Sequence, residues 1–216
     1  MSLSARTVSS VARRNAAGRL QPGSTVFFLC DIQERFRTGI HAFESLVQVA
    51  QKMSKFSKIT KTPLIVTEQY PKGLGNTACE IDIDHAALIE GKTRFSMCTP
   101  AVLQKLEELK AKSVVVYGIE SHVCVMQTCL ELLDLDFDVH VLADGVSSMN
   151  APEIDIALAR MAASGAHVVS SESVMFQLTT DSKSPEFKAV SGLVKEYQLL
   201  AKTNKLLYKP GATAQL

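Results

Sequence analysis

The chain has no CxxC pair, and its five cysteines, Cys30, Cys79, Cys98, Cys124 and Cys129, are odd in number and scattered. With no secretory signal beside them, they argue against a disulfide framework and for a reducing compartment. The five histidines, His41, His85, His122, His140 and His167, include no i, i+4 pair that would set two imidazoles on one helix face, so a dedicated zinc site lacks support. Charge of one sign is also missing. Lys and Arg number 23 against 22 for Asp and Glu, a formal net charge of +1, which leaves no electrostatic footprint for nucleic acid or a membrane surface. Apolar runs such as Val26 to Cys30 and Val114 to Val116 end after a few residues, far short of a bilayer span. Internal repeats and low-complexity segments are absent as well.

What is present is globular. Hydrophobic residues make up 46% and charged residues 21% of 216, enough for one domain with a sizeable core. We place that domain at residues 22–202, after an N-terminal extension (1–21) and before a C-terminal tail (203–216). The first residues carry Arg6, Arg13, Arg14 and Arg19 and no acid before Asp31, which resembles a mitochondrial transit segment; sparse apolar residues before Leu20 equally fit a solvated extension. Ala214, Gln215 and Leu216 resemble a degenerate peroxisomal address. The expected location is cytoplasmic, with the mitochondrion and a peroxisome-like organelle as the alternatives.

Short β-branched runs alternate with helical spacing. Thr25 to Cys30, Pro63 to Thr67, Ser113 to Tyr117, Asp138 to Leu142 and Ala166 to Ser170 read as strands covered on both faces, with Ala86 to Ile89 as a sixth candidate. Phe43 to Ile59, Pro100 to Lys110, Val123 to Leu135, Pro152 to Ala163 and Glu186 to Ala201 read as helices, Thr99-Pro100 opening one and Gly165 closing another. The alternation predicts a three-layer α/β/α sandwich with a mostly parallel five- or six-stranded sheet.

Such sheets bind ligands beyond the carboxyl ends of their strands. The residues there are Asp31, Glu68 to Tyr70, Gly118 to Cys124, and Asp144. Cys124 stands at the opening of a helix, where amides and dipole favour an anion such as a thiolate. A buried core cysteine is the plainer alternative, and it is the reading for the other four. Asp31 is a candidate proton acceptor or else a helix cap. Lys92 is a solvated loop lysine unless it reaches the other two, where its charge would steady both.

Four stretches carry a resemblance: Phe27-Phe-Leu-Cys-Asp-Ile-Gln-Glu-Arg-Phe36, Val66-Thr-Glu-Gln-Tyr-Pro-Lys-Gly-Leu-Gly75, Lys92-Thr-Arg-Phe-Ser-Met97 and Gly118-Ile-Glu-Ser-His-Val-Cys124. With Ser170-Ser-Glu-Ser-Val and Phe187-Lys they run in order through residues 22–195, and the chain resembles the isochorismatase-like cysteine hydrolase family, in particular its eukaryotic isochorismatase domain-containing branch. The resemblance implies a triad at Asp31, Lys92 and Cys124, and a cis peptide at Ile119-Glu120 that aims the amides of Glu120 and Cys124 at an oxyanion. It implies a reaction in which Asp31 takes the Cys124 proton, the thiolate attacks a carbonyl, and water hydrolyses the thioester, with no organic cofactor.

The nicotinamidase branch carries a metal-binding aspartate and paired histidines where this chain has Glu68-Gln-Tyr-Pro-Lys-Gly, so neither a metal nor nicotinamide is carried over. Phe36, Tyr70 and His122 are the candidate substrate contacts; packing, a loop aromatic and a satisfied imidazole are their alternatives. The leading expectation is a hydrolase of a small amide-like substrate, a carboxamide or ureide, set against a non-catalytic binding or regulatory module. A ribonuclease, an activity attached to relatives, is disfavoured by the near-neutral charge. Apolar content on helices such as Val123 to Leu135 points to a homo-oligomer.

Overall fold

The β-branched runs form six strands, β1 (Thr25–Cys30), β2 (Leu64–Gln69), β3 (Leu88–Lys92), β4 (Ser113–Ile119), β5 (Asp138–Ser147) and β6 (His167–Val169), in a computed structural model that describes residues 17–207. Every neighbouring pair is parallel, in the order β3-β2-β1-β4-β5-β6. The helices are α1 (Phe43–Thr60), α2 (Pro71–Leu74), α3 (Pro100–Glu108), α4 (Met126–Asp134), α5 (Ala151–Ala163), α6 (Ser171–Thr179), α7 (Phe187–Glu196) and α8 (Gln198–Thr203). Strand parity divides the core. Phe27 and Leu29 of β1 pack with Leu46, Met53 and Phe56 of α1 and with α6 and α7, whereas Val26, Phe28 and Cys30 pack with Val102, Cys129, Leu132 and Met161 of α3, α4 and α5. The result is the expected three-layer sandwich.

Differences from the sequence reading have local causes. The sixth strand lies two residues later than its apolar signal, because Gly91 and Lys92 continue the ladder through backbone pairing with Glu68 and Gln69. Helix α6 lacks an apolar periodicity to announce it; the Ser170 side chain caps it by accepting from the Ser173 amide. The stretch after Glu186 divides at Tyr197 into α7 and α8. The helix expected from Val123 begins instead with a wider, π-type turn at Ser121–Val125. Cys129, Leu132 and Leu133 of α4 are buried in this chain's own core, while Met126 and Leu130 are half-buried.

Both ends of the described chain pack onto the domain. Leu20 is buried in the α1-side core, and Asn204 Nδ2 donates to the Asp144 carbonyl at 3.1 Å. Residues 1–16 of the arginine-bearing extension and the Ala214-Gln215-Leu216 address lie outside the described residues. Among those described, no helix is long and apolar enough to cross a membrane.

One buried histidine makes stability depend on pH. His140 of β5 is fully buried with neither ring nitrogen hydrogen-bonded, and its ring lies 4.9 Å from that of His167 on β6. Burial first, then His167, pushes its pKa down to about 4. The unfolded chain therefore takes up this proton near pH 6.5 while the folded chain resists it, so the contribution is present above that pH and is lost as pH falls towards 4. The loss expected across this window is about 3 kcal/mol. Urea midpoints measured at pH 7.5 and pH 5 should separate clearly in the wild type and by much less in His140→Leu.

Candidate active site

Strands β1 and β4 are neighbours whose following connections leave towards opposite sides of the sheet, which opens a crevice at their carboxyl ends. Asp31 follows β1 with φ +54°, a left-handed conformation that aspartate tolerates and that turns the chain out of the sheet. Opposite, Gly118 pairs with Cys30 at φ +134°. A Cβ there would stand 2.1 Å from the Cys30 carbonyl oxygen, so only glycine lets the two strand ends approach this closely. The next peptide, Ile119-Glu120, is cis. The turn Ser121–Val125 then carries Cys124, and Lys92 closes β3.

Lys92 Nζ donates to Asp31 Oδ2 at 2.6 Å, to Gln69 Oε1 at 2.7 Å, and to the carbonyls of Phe95 and Arg94 at 2.9 and 3.2 Å. Thr67 Oγ1 donates to Asp31 Oδ1 at 2.8 Å, so both carboxylate oxygens are held. Gln33 fixes this arrangement from behind: its side chain accepts from the Gln69 amide at 2.7 Å and donates to the Gln69 carbonyl at 3.0 Å. Asp31 and Lys92 are 1% and 4% exposed, so their attraction acts with little solvent screening. The ammonium protons are all engaged by oxygen, and Asp31 is the ion-pair partner of Lys92.

Cys124 is 7% exposed and is the member of the three most open to solvent. Thr128 Oγ1 donates to its carbonyl at 2.6 Å and receives the Met97 amide at 2.9 Å, tying the cysteine turn to the segment after Lys92. The thiol that reaches Asp31 belongs to Cys30, whose Sγ donates to Oδ2 at 3.6 Å. Burial, then Cys124 and Asp31, raise the Cys30 thiol well above its ordinary range. Burial also raises Cys98, to about 11, and Cys129. Cys79 is exposed.

Among the substrate candidates, the Tyr70 amide donates to the Lys92 carbonyl at 2.8 Å and its side chain is 55% exposed. His122 Nδ1 pairs with Ser148 Oγ at 3.0 Å, and Glu120 Oε2 accepts from the Met149 amide at 2.8 Å, so the cysteine turn is pinned to the end of β5. Phe36, in a short turn (Glu34–Phe36), packs against the α1-side core. Gln33, Thr67 and Cys30 are residues near the site that the sequence reading passed over, whereas Gln69 stood among its strand-end residues without a role. Glu34, Cys79 and Glu80 offer ligand atoms within 4.8 Å of one another at the surface, but Arg37 bonds both carboxylates at 3.0 and 2.9 Å, and the cluster is an ion-pair network. A cleft of about 900 Å³ lined by His167, Phe176 and Gln177 holds none of the three reactive groups.

A six-stranded parallel sheet with this site at its switch point defines an α/β enzyme-type fold, and comparison with known proteins assigns it. The isochorismatase domain model matches residues 25–173, and the chain belongs to the isochorismatase family. It is 46% identical over 179 residues to isochorismatase domain-containing protein 1 of Salmo salar, covering 82% of this chain but only 63% of that longer relative. It is 42% identical over 186 residues to isochorismatase domain-containing protein 2 of Homo sapiens, covering 86% and 90% of the two chains. The solved structure of the MAR1 ribonuclease from Caenorhabditis elegans superposes with a TM-score of 0.79 at 37% identity, over 82% of this chain and 92% of that one.

Proposed function

We propose that the chain is a hydrolase of a small amide-like substrate, a carboxamide or ureide, working through a thioester on Cys124. The observation that carries this reading is the buried Asp31–Lys92 pair at 2.6 Å, at the same edge of the sheet as the turn after β4 that bears the buried Cys124. Asp31 takes the Cys124 proton, and the sulfur attacks the carbonyl carbon. The amides of Glu120 and Cys124 are the donors offered to the developing oxyanion. Asp31 returns the proton to the departing nitrogen, then draws one from the water that hydrolyses the thioester. Lys92 keeps Asp31 placed and charged through the cycle. Phe36, Tyr70 and His122 are the substrate-side contacts in this reading, and five free cysteines suit a cytoplasmic setting.

Ammonia release from a panel of carboxamides and ureides tests the proposal. Cys124→Ser should lower turnover on the order of a thousandfold or more, with the melting temperature nearly unchanged. A panel left untouched by the wild type would sink it. The MAR1 likeness favours a second reading, cleavage of RNA. It requires RNA binding that weakens steeply with salt, which a net charge of +1 does not promise.

Self-association is part of the proposal. Met149, just before α5, and Ile156, within it, are 53% and 63% exposed, and they are the apolar residues a second copy would cover. Light scattering that returns a monomer at micromolar concentration would remove it.

A further inference from the structure

Two lysines of the described chain are buried, and they are held in opposite ways. Lys92 bonds four oxygens, whereas Lys52 of α1, 5% exposed, has no hydrogen bond and no carboxylate at ion-pair distance among the described residues. Asp144 and Glu172 act on it electrostatically, yet both Asp144 oxygens are taken by Ser171, Oδ1 by its amide at 2.8 Å and Oδ2 by its hydroxyl. Burial pushes the Lys52 pKa below its ordinary value, against the pull of those two carboxylates. The unpaired ring nitrogens of His140 and hydroxyl of Tyr117 are closed off in the core, but Lys52 Nζ keeps an opening to solvent.

That opening is a cavity of about 580 Å³ between α1, α6 and α8, the size of a small-molecule site, and none of Asp31, Lys92 and Cys124 lines it. Its walls are of two kinds. Ser170 and Ser173, at the first turn of α6, supply hydroxyls, and the positive end of that helix's dipole favours an anion there. Phe176 and Leu207, 44% and 45% exposed, supply apolar surface. A buried ammonium that has given up water without gaining an oxygen carries an uncompensated desolvation cost. An anionic oxygen entering the cavity would remove that cost.

We propose that this cavity is a second ligand site, taking a small organic acid whose single carboxylate bonds Lys52 and whose apolar body lies against Phe176 and Leu207. The Asp144 and Glu172 charges on the same cavity oppose a second carboxylate on the ligand. The site does not depend on the role of Cys124.

Acetylation of the full chain by acetic anhydride, mapped by peptide mass spectrometry, reads Lys52 directly. Benzoate is the probe, benzyl alcohol its uncharged counterpart, and inorganic phosphate an anion without the apolar body. Lys52 should react in the free protein, and saturating benzoate should slow it about tenfold or more while exposed Lys110 is unaffected. Benzyl alcohol and phosphate should protect little. In calorimetry Lys52→Met should weaken benzoate by about tenfold or more, with a melting temperature no lower than the wild type's, since it removes a charge without a bonded partner. Phe176→Ala, at a partly exposed position, should keep the fold and weaken benzoate about severalfold. A Lys52 inert to the anhydride in the free protein, or benzoate that binds Lys52→Met as tightly as the wild type, would overturn the site. Equal protection by phosphate would overturn the organic-acid assignment.

Discussion

Replacing Lys92 with methionine is expected to cost the fold about 3–5 kcal/mol, because it leaves the Asp31 carboxylate charged and buried without its cation. For a domain of this size that is a drop in melting temperature of roughly 10 °C, together with loss of activity. The pair lies at 2.6 Å with both side chains almost wholly out of solvent, so water cannot take the place of the lost ammonium. The double variant Asp31→Asn/Lys92→Met removes both charges and should recover part of the stability while remaining inactive. Thermal melts of the two variants separate the ion pair's structural contribution from its chemical one. A Lys92→Met protein as stable as the wild type would show that Asp31 is neutral or hydrated and would remove the proposed proton carrier.

Gly118→Ala should be at least as severe. Its methyl group would enter the Cys30 carbonyl oxygen at 2.1 Å, and φ +134° is itself foreign to alanine. None of the atoms it would meet belongs to a flexible side chain that could move aside; all are backbone of Cys30, on a paired central strand. A loss of about 4 kcal/mol or more is expected, seen as a melting temperature lowered by over roughly 10 °C or as insoluble protein. Gly192 in α7 is the internal comparison, since nothing lies within 4 Å of the Cβ it would gain. Gly192→Ala should be neutral or stabilising by about 0.5–1 kcal/mol.

The two glycines show what a sequence can and cannot reveal about such a site. That Asp31 and Gly118 to Cys124 stand at strand ends follows from short β-branched runs and the alternation with helices, because a parallel sheet puts every such end on one edge, whereas Lys92 read as a loop lysine because the apolar signal of its strand stops at Ile89. The order of the strands was not readable, and with it neither the Cys30–Gly118 pairing nor the bond from the Lys92 ammonium to Asp31. Cys30 ends an apolar strand and is buried, so a core reading of it is correct as far as burial goes; its neighbours come from a turn almost a hundred residues away. Gln33 escaped for a like reason, and Gln69 was placed at a strand end but not paired with it, their mutual bonds spanning the ends of β1 and β2. Local periodicity also misplaced the start of α4, since a π-type turn keeps helical spacing while shifting which residue opens the regular helix.

The central claim is a covalent acyl intermediate on Cys124, and intact-mass spectrometry after acid quenching tests it most directly. Wild-type protein mixed with the small amides and ureides should gain the mass of an acyl group with at least one of them, and peptide mapping should place the adduct on Cys124. Asp31→Asn, lacking the group that activates water, should hold any such adduct longer, and Cys124→Ser should show none under the same quench. No adduct with any member of the panel, together with Cys124 alkylated by iodoacetamide no faster than the fully buried Cys129, would contradict the account.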